Sequence, residues 1–85
     1  MKDKSTIRKE IDLIDEQIIA LLNKRFQTAV EIGEFKKANG MPITDEKREE
    51  KVLQSVENSF NNVDFSKAGV AIYKEIIKQC SELQK

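Results

Sequence analysis

Arg25 and Lys36 are eleven residues apart, so on an α-helix they differ by only about 20° around the axis. Both belong to the series Ile7, Ile11, Ile14, Ile18, Leu21, Arg25, Ala29, Ile32, Lys36, whose three- and four-residue steps trace one helical face. Two cations therefore occupy places that the periodicity assigns to the interior. Each long stem could pack on apolar neighbours with its charged tip in water, or pair with a carboxylate from another helix. A second charged group, Asp45, Arg48 and Glu49, lies in the stretch MPITDEKREE at 41–50, ahead of Val52 and Val56 on the same side of a helix. Acidic residues are favoured at a helix N-terminus in any case, so this run also reads as a solvated helix start. Near the end of the chain Cys80 and Gln84, one turn apart, continue a stripe of Tyr73, Ile76 and Ile77. Cys80 reads equally as a small core residue and Gln84 as part of a frayed end.

Taken together, these residues would make a pocket of Arg and Lys groups with a carboxylate and an amide. Such a pocket suits a small ligand carrying two or more carboxylates, which Arg grips bidentately. The chain has no histidine, so the usual neutral-pH acid/base group and commonest metal ligand are missing. No metal, cofactor or covalent nucleophile is indicated. Any reaction would run on positioning and electrostatics.

The elements that must hold these side chains are helical. Gly33, Gly40, Gly69 and Pro42 are the only glycines and proline, and nothing interrupts a helix between Ser5 and Ile32. The spacing predicts a first helix over about 5–38, capped by Ser5 or Thr6 and stopped by the Asn-Gly-Met-Pro run at 39–42. A second helix starts at Thr44 or Asp45 and fades in the polar stretch at 57–62. A third starts near Asp64 or Ser66 and runs to the end, with Gly69, Tyr73, Ile76, Ile77, Cys80 and Gln84 on its inner face. The class is all-α, in one domain over 1–85.

A first helix of that length spans roughly 50 Å, whereas a compact chain of this size has a radius of gyration of roughly 12 Å. Half of the helix would protrude, leaving Ala29, Val30 and Ile32 wet unless a second chain covers them. The reading is an intertwined homodimer, which also repairs the small core of an 85-residue chain. Arg8 points about 100° away from the Arg25 and Lys36 direction, so if it acts with them it serves the other subunit's site.

Composition excludes several classes. Lys plus Arg and Asp plus Glu number 15 each, so no overall basic field exists to hold nucleic acid or an anionic membrane. Cys80 is the only cysteine and forms neither an intrachain disulfide nor a zinc cluster. The first sixteen residues carry no apolar run of signal type, and no stretch of 18 apolar residues occurs. These features suggest a cytoplasmic protein.

The motifs resemble the all-helical (AroQ-class) chorismate mutases along nearly the whole chain: IRKEIDLIDEQIIALLNKR, then AVEIGEFKKANGMPITDEKREEKVL, then IYKEIIKQCSELQ. An early Arg, a mid-helix Arg, an EIG-x-x-K step, a D-x-x-R-E step and a terminal helix ending in Gln occur in the family's order. The resemblance implies a homodimeric isomerase of aromatic amino acid biosynthesis, acting without cofactor, that turns chorismate into prephenate by an intramolecular Claisen rearrangement. It implies that Arg25 and Arg48, with Arg8 from the other subunit, bind the carboxylates. Lys36 and Gln84 would donate to the ether oxygen, and Glu49 with the Asp45 backbone would hold the ring hydroxyl. Cys80 stands where the family usually has a serine, and as a weak donor it should weaken one contact.

Two other readings fit part of the pattern. An isochorismate-pyruvate lyase resembles the mutases in fold and basic pocket, although Glu49 and the intact D-x-x-R-E step favour the mutase. A non-catalytic helical dimerisation or regulatory module would leave Arg25, Lys36 and Arg48 in salt bridges. The residues carry no signal about association with a shikimate-pathway synthase or about feedback regulation.

Overall fold

The computed structural model describes residues 2–85, and three helices account for most of them. Helix α1 runs over Lys4–Ala38, α2 over Glu46–Asn58 and α3 over Val63–Leu83. The three-helix, all-α expectation holds, with small shifts at the ends. α1 starts one residue early because Asp3, rather than Ser5 or Thr6, is its cap, its carboxylate accepting the Thr6 N–H at 2.8 Å. The carboxylate suits the positive end of the helix better than a hydroxyl one turn further in. α3 likewise starts at Val63 because the Asn62 side chain accepts the N–H groups of Asp64 and Phe65.

The stop after α1 is a Schellman closure. Met41 N–H bonds the Lys36 carbonyl at 2.8 Å and Gly40 N–H bonds that of Lys37 at 3.4 Å. Gly40 takes φ +64°, a left-handed conformation that suits glycine. The chain then turns through Pro42 to Asp45, which caps α2 by accepting the Arg48 N–H at 3.1 Å. Of the two caps the sequence offered, Thr44 and Asp45, it is the second. α2 and α3 are tied at their junction by the Ser66 hydroxyl, which donates to the Glu57 carbonyl at 2.9 Å.

α3 packs on both α1 and α2 and is the hub of the fold. It covers only the C-terminal part of α1, where Ala29 and Gly33 are buried and Leu22, Arg25, Phe26 and Lys36 are half-buried. Ala29, expected to be wet, is thus covered within the chain, while Val30 and Ile32 stay exposed. The bare part of α1 is its N-terminal half, where Ile11, Ile14, Ile18 and Leu21 are all about half exposed or more. The molecule is accordingly long and thin, 56 × 25 × 14 Å, with a radius of gyration of 16.1 Å against the roughly 12 Å of a compact chain. Among the described residues no helix is long and apolar enough to cross a membrane.

Candidate active site

The covered half of α1, the turn after it, the first turn of α2 and the last two turns of α3 enclose one cavity of 590 Å³. Of the residues read from the sequence, Arg25 and Lys36 enter it from α1, Asp45, Arg48 and Glu49 from the start of α2, and Cys80 and Gln84 from α3. Charged positions in an apolar stripe therefore mark the cavity wall. Arg8 is not part of it: seventeen residues before Arg25, it lies roughly 25 Å away along the helix axis.

Arg25 is held from α3. Its Nη1 donates to the Cys80 Sγ at 3.0 Å, and its guanidinium carbon lies 5.8 Å from the Tyr73 ring centroid. The ring face attracts the cation, and the sulfur is a weak acceptor. The planar guanidinium is fixed in direction without being neutralised. Cys80, 4% exposed, is one of the few buried residues among those described, and the guanidinium lies against it.

Lys36 Nζ donates to the Ile43 carbonyl at 2.7 Å and to the Gln84 Oε1 at 2.8 Å. An ammonium has three protons, so one is left for a ligand. Because the Gln84 oxygen accepts from Lys36, its amide nitrogen is left as a donor. Two donors of different helices thus stand side by side. Gly33 makes this approach possible: a Cβ there would fall 2.8 Å from the Gln84 Cα.

Among the described residues the only ion pairs are Lys2 with Glu10 and Lys85 with Glu82, both on the surface. None of the three cavity cations is paired with a carboxylate. The Asp45 carboxylate is occupied with the α2 N-terminus, and Glu49 is half-buried with no side-chain partner among the described residues. Three cations against two carboxylates leave the cavity positive, fit for an anion.

The sequence reading missed part of the wall. Thr28 and Ser81 bring hydroxyls, and Phe35, Met41 and Ile43 bring apolar surface. Thr28 lies one turn after Arg25 and Ser81 adjoins Cys80, so helical spacing could have found both. The Ile43 carbonyl is a backbone group in a turn and leaves no side-chain signal.

Against known proteins, residues 7–85 match the model of the family "Chorismate mutase type II". The bifunctional chorismate mutase/prephenate dehydratase of Aquifex aeolicus is 42% identical over an alignment covering 100% of this chain and 25% of that protein. The chain thus spans about a quarter of the length of that relative. The chorismate mutase of Methanocaldococcus jannaschii is 35% identical over 93% of this chain and 81% of its own. A solved structure, described as a conserved hypothetical protein from Pyrococcus furiosus, superposes with a TM-score of 0.80 at 36% identity, covering 99% of this chain and 100% of the other. The helical fold, the cationic cavity and these matches agree: the chain belongs to the type II chorismate mutase family.

Proposed function

We propose that the chain is a chorismate mutase that catalyses the intramolecular rearrangement of chorismate to prephenate. The ether C–O bond breaks while a C–C bond forms between the enolpyruvyl methylene and the ring, and the ether oxygen becomes a ketone oxygen. No proton, electron or leaving group is exchanged, so the absence of histidine is no obstacle. The observation that carries the reading is Arg25, Lys36 and Arg48 on one cavity without a carboxylate partner, with Lys36 against Gln84.

Arg25 and Arg48 grip the substrate's two carboxylates and hold the flexible side chain over the ring, removing conformational freedom before the bond breaks. The free proton of Lys36 and the Gln84 amide meet the ether oxygen, where negative charge grows; one such donor is worth about 2.7 to 4 kcal/mol of transition-state stabilisation. Glu49 accepts the ring hydroxyl, with the Asp45 backbone beside it. Cys80 fixes Arg25 in place of the usual serine contact.

The working unit is a homodimer in which a second copy covers the bare N-terminal half of α1 and brings its Arg8 to the cavity. Support comes from the exposed Ile11, Ile14, Ile18 and Leu21 and from the distance of Arg8 from its own site. The direct test is loss of chorismate absorbance in the ultraviolet with the purified protein alone, with products identified by NMR. Prephenate is the expected product; pyruvate from isochorismate, or no turnover of either substrate, overturns the assignment.

A further inference from the structure

Gly33 lies on α1 between Arg25 and Lys36, is buried, and carries no group that could reach a substrate. A Cβ built there would meet the Gln84 Cα at 2.8 Å, its Cβ at 3.0 Å and its carbonyl oxygen at 3.0 Å. All three nearest atoms belong to one residue, and two of them are backbone atoms that no rotamer change can move aside. Gln84 itself sits just past the end of α3 as its C-cap, held by its N–H to the carbonyls of Glu82 and Ser81 rather than by the full helical ladder. A methyl at position 33 would therefore be relieved by moving the α3 terminus. The Gln84 side chain would move with it, away from the Lys36 ammonium that its oxygen meets at 2.8 Å.

We propose that Gly33 is a positioning residue for the reaction, setting by its missing side chain how closely Gln84 approaches Lys36. The inference rests on the mutase reading above. It makes the donor pair a property of the backbone spacing between α1 and α3. The sites for the substrate's carboxylates, Arg25 and Arg48, lie off this contact, so binding and turnover separate.

The test is a double-mutant cycle in kcat with chorismate as substrate, using Gly33→Ala, Gln84→Ala and the two combined. Gly33→Ala should lower kcat about as far as Gln84→Ala does, on the order of a hundredfold, with KM changed less than about threefold and a cooperative thermal melt retained. In the Gln84→Ala background the further change Gly33→Ala should cost almost nothing in kcat, because the donor it displaces is already gone. Near-wild-type kcat in Gly33→Ala, losses that multiply in the double variant, or a Gly33→Ala chain that fails to fold while Gln84→Ala folds would each overturn the proposal, the last by making Gly33 a packing requirement only. A wild-type chain without mutase activity would instead defeat the functional reading beneath it, which the same assay reports separately.

Discussion

The Lys36 ammonium donates to the Gln84 side-chain oxygen across 2.8 Å, although 48 residues separate the two in the chain. This contact joins the last turn of α1 to the end of α3 and orients an amide that could otherwise present either face. A cation can only be met by the oxygen. The nitrogen of Gln84 is thereby committed to donating.

Lys36→Ala should reduce kcat by about a hundredfold to a thousandfold, the usual cost of one donor to a developing anion. The α1–α2 turn loses its Ile43 contact at the same time, so the melting temperature should drop by a few degrees while the helices persist. Steady-state kinetics alongside circular dichroism checks both, and turnover near that of the wild type would remove Lys36 from the chemistry.

Gln84→Glu replaces a donor that is neutral at every ordinary pH with one that donates only when protonated. The Lys36 charge beside it favours the carboxylate, which pushes the active form to the acid side of about 4.3, the ordinary Glu value. Turnover should rise as pH falls, where the parent enzyme has no such acid limb. A pH profile of kcat that runs parallel to the parent's would contradict the role.

Arg8→Ala and Arg25→Ala chains should each be nearly inactive alone and should recover activity when unfolded together and refolded as a mixture. With Arg8 acting in trans, a mixed dimer has one intact site, so random pairing restores about a quarter of the sites. Verified mixed dimers without recovery would put Arg8 outside the site.

Asp3→Asn should keep the α1 cap but remove its pH dependence. The Thr6 backbone N–H holds the Asp3 carboxyl below its ordinary value. A depressed carboxyl contributes stability that is present above its unfolded value of about 3.9 and disappears as pH falls through the depressed one. Acid titration of helicity in the two proteins should therefore diverge below about pH 4, the asparagine variant losing less. Superimposable titrations would mean that the cap carries no charge effect.

Gly40→Ala should destabilise the fold by about 1 to 2 kcal/mol, because a β-carbon is costly at φ +64°. Apart from its own chain neighbours, no described residue comes within 4 Å of the added methyl, so the loss is conformational rather than steric crowding. Denaturant melts give the number, and Gly40→Asn should lose less.

The candidate site was legible because helical periodicity fixes direction. Arg25 and Lys36 broke an apolar series, so their tips had to meet something other than core, and the structure puts both on one cavity. Asp45 could be read as a cap and Gln84 as the end of a stripe for the same reason. What could not be read was what covers what. Periodicity marks a long apolar face on α1, but only the position of α3 shows that Ala29 is enclosed and Ile11 is bare. The caps Asp3 and Asn62 were hidden among several polar candidates, and the Ile43 carbonyl had no side chain to announce it.

Arg25 rests on a sulfur and an aromatic face, neither of which is a carboxylate. Had a glutamate stood at position 80, an arriving carboxylate would first have to evict a rival of equal charge. As it is, the incumbent is the poorer suitor, and the guanidinium can change hands without a contest.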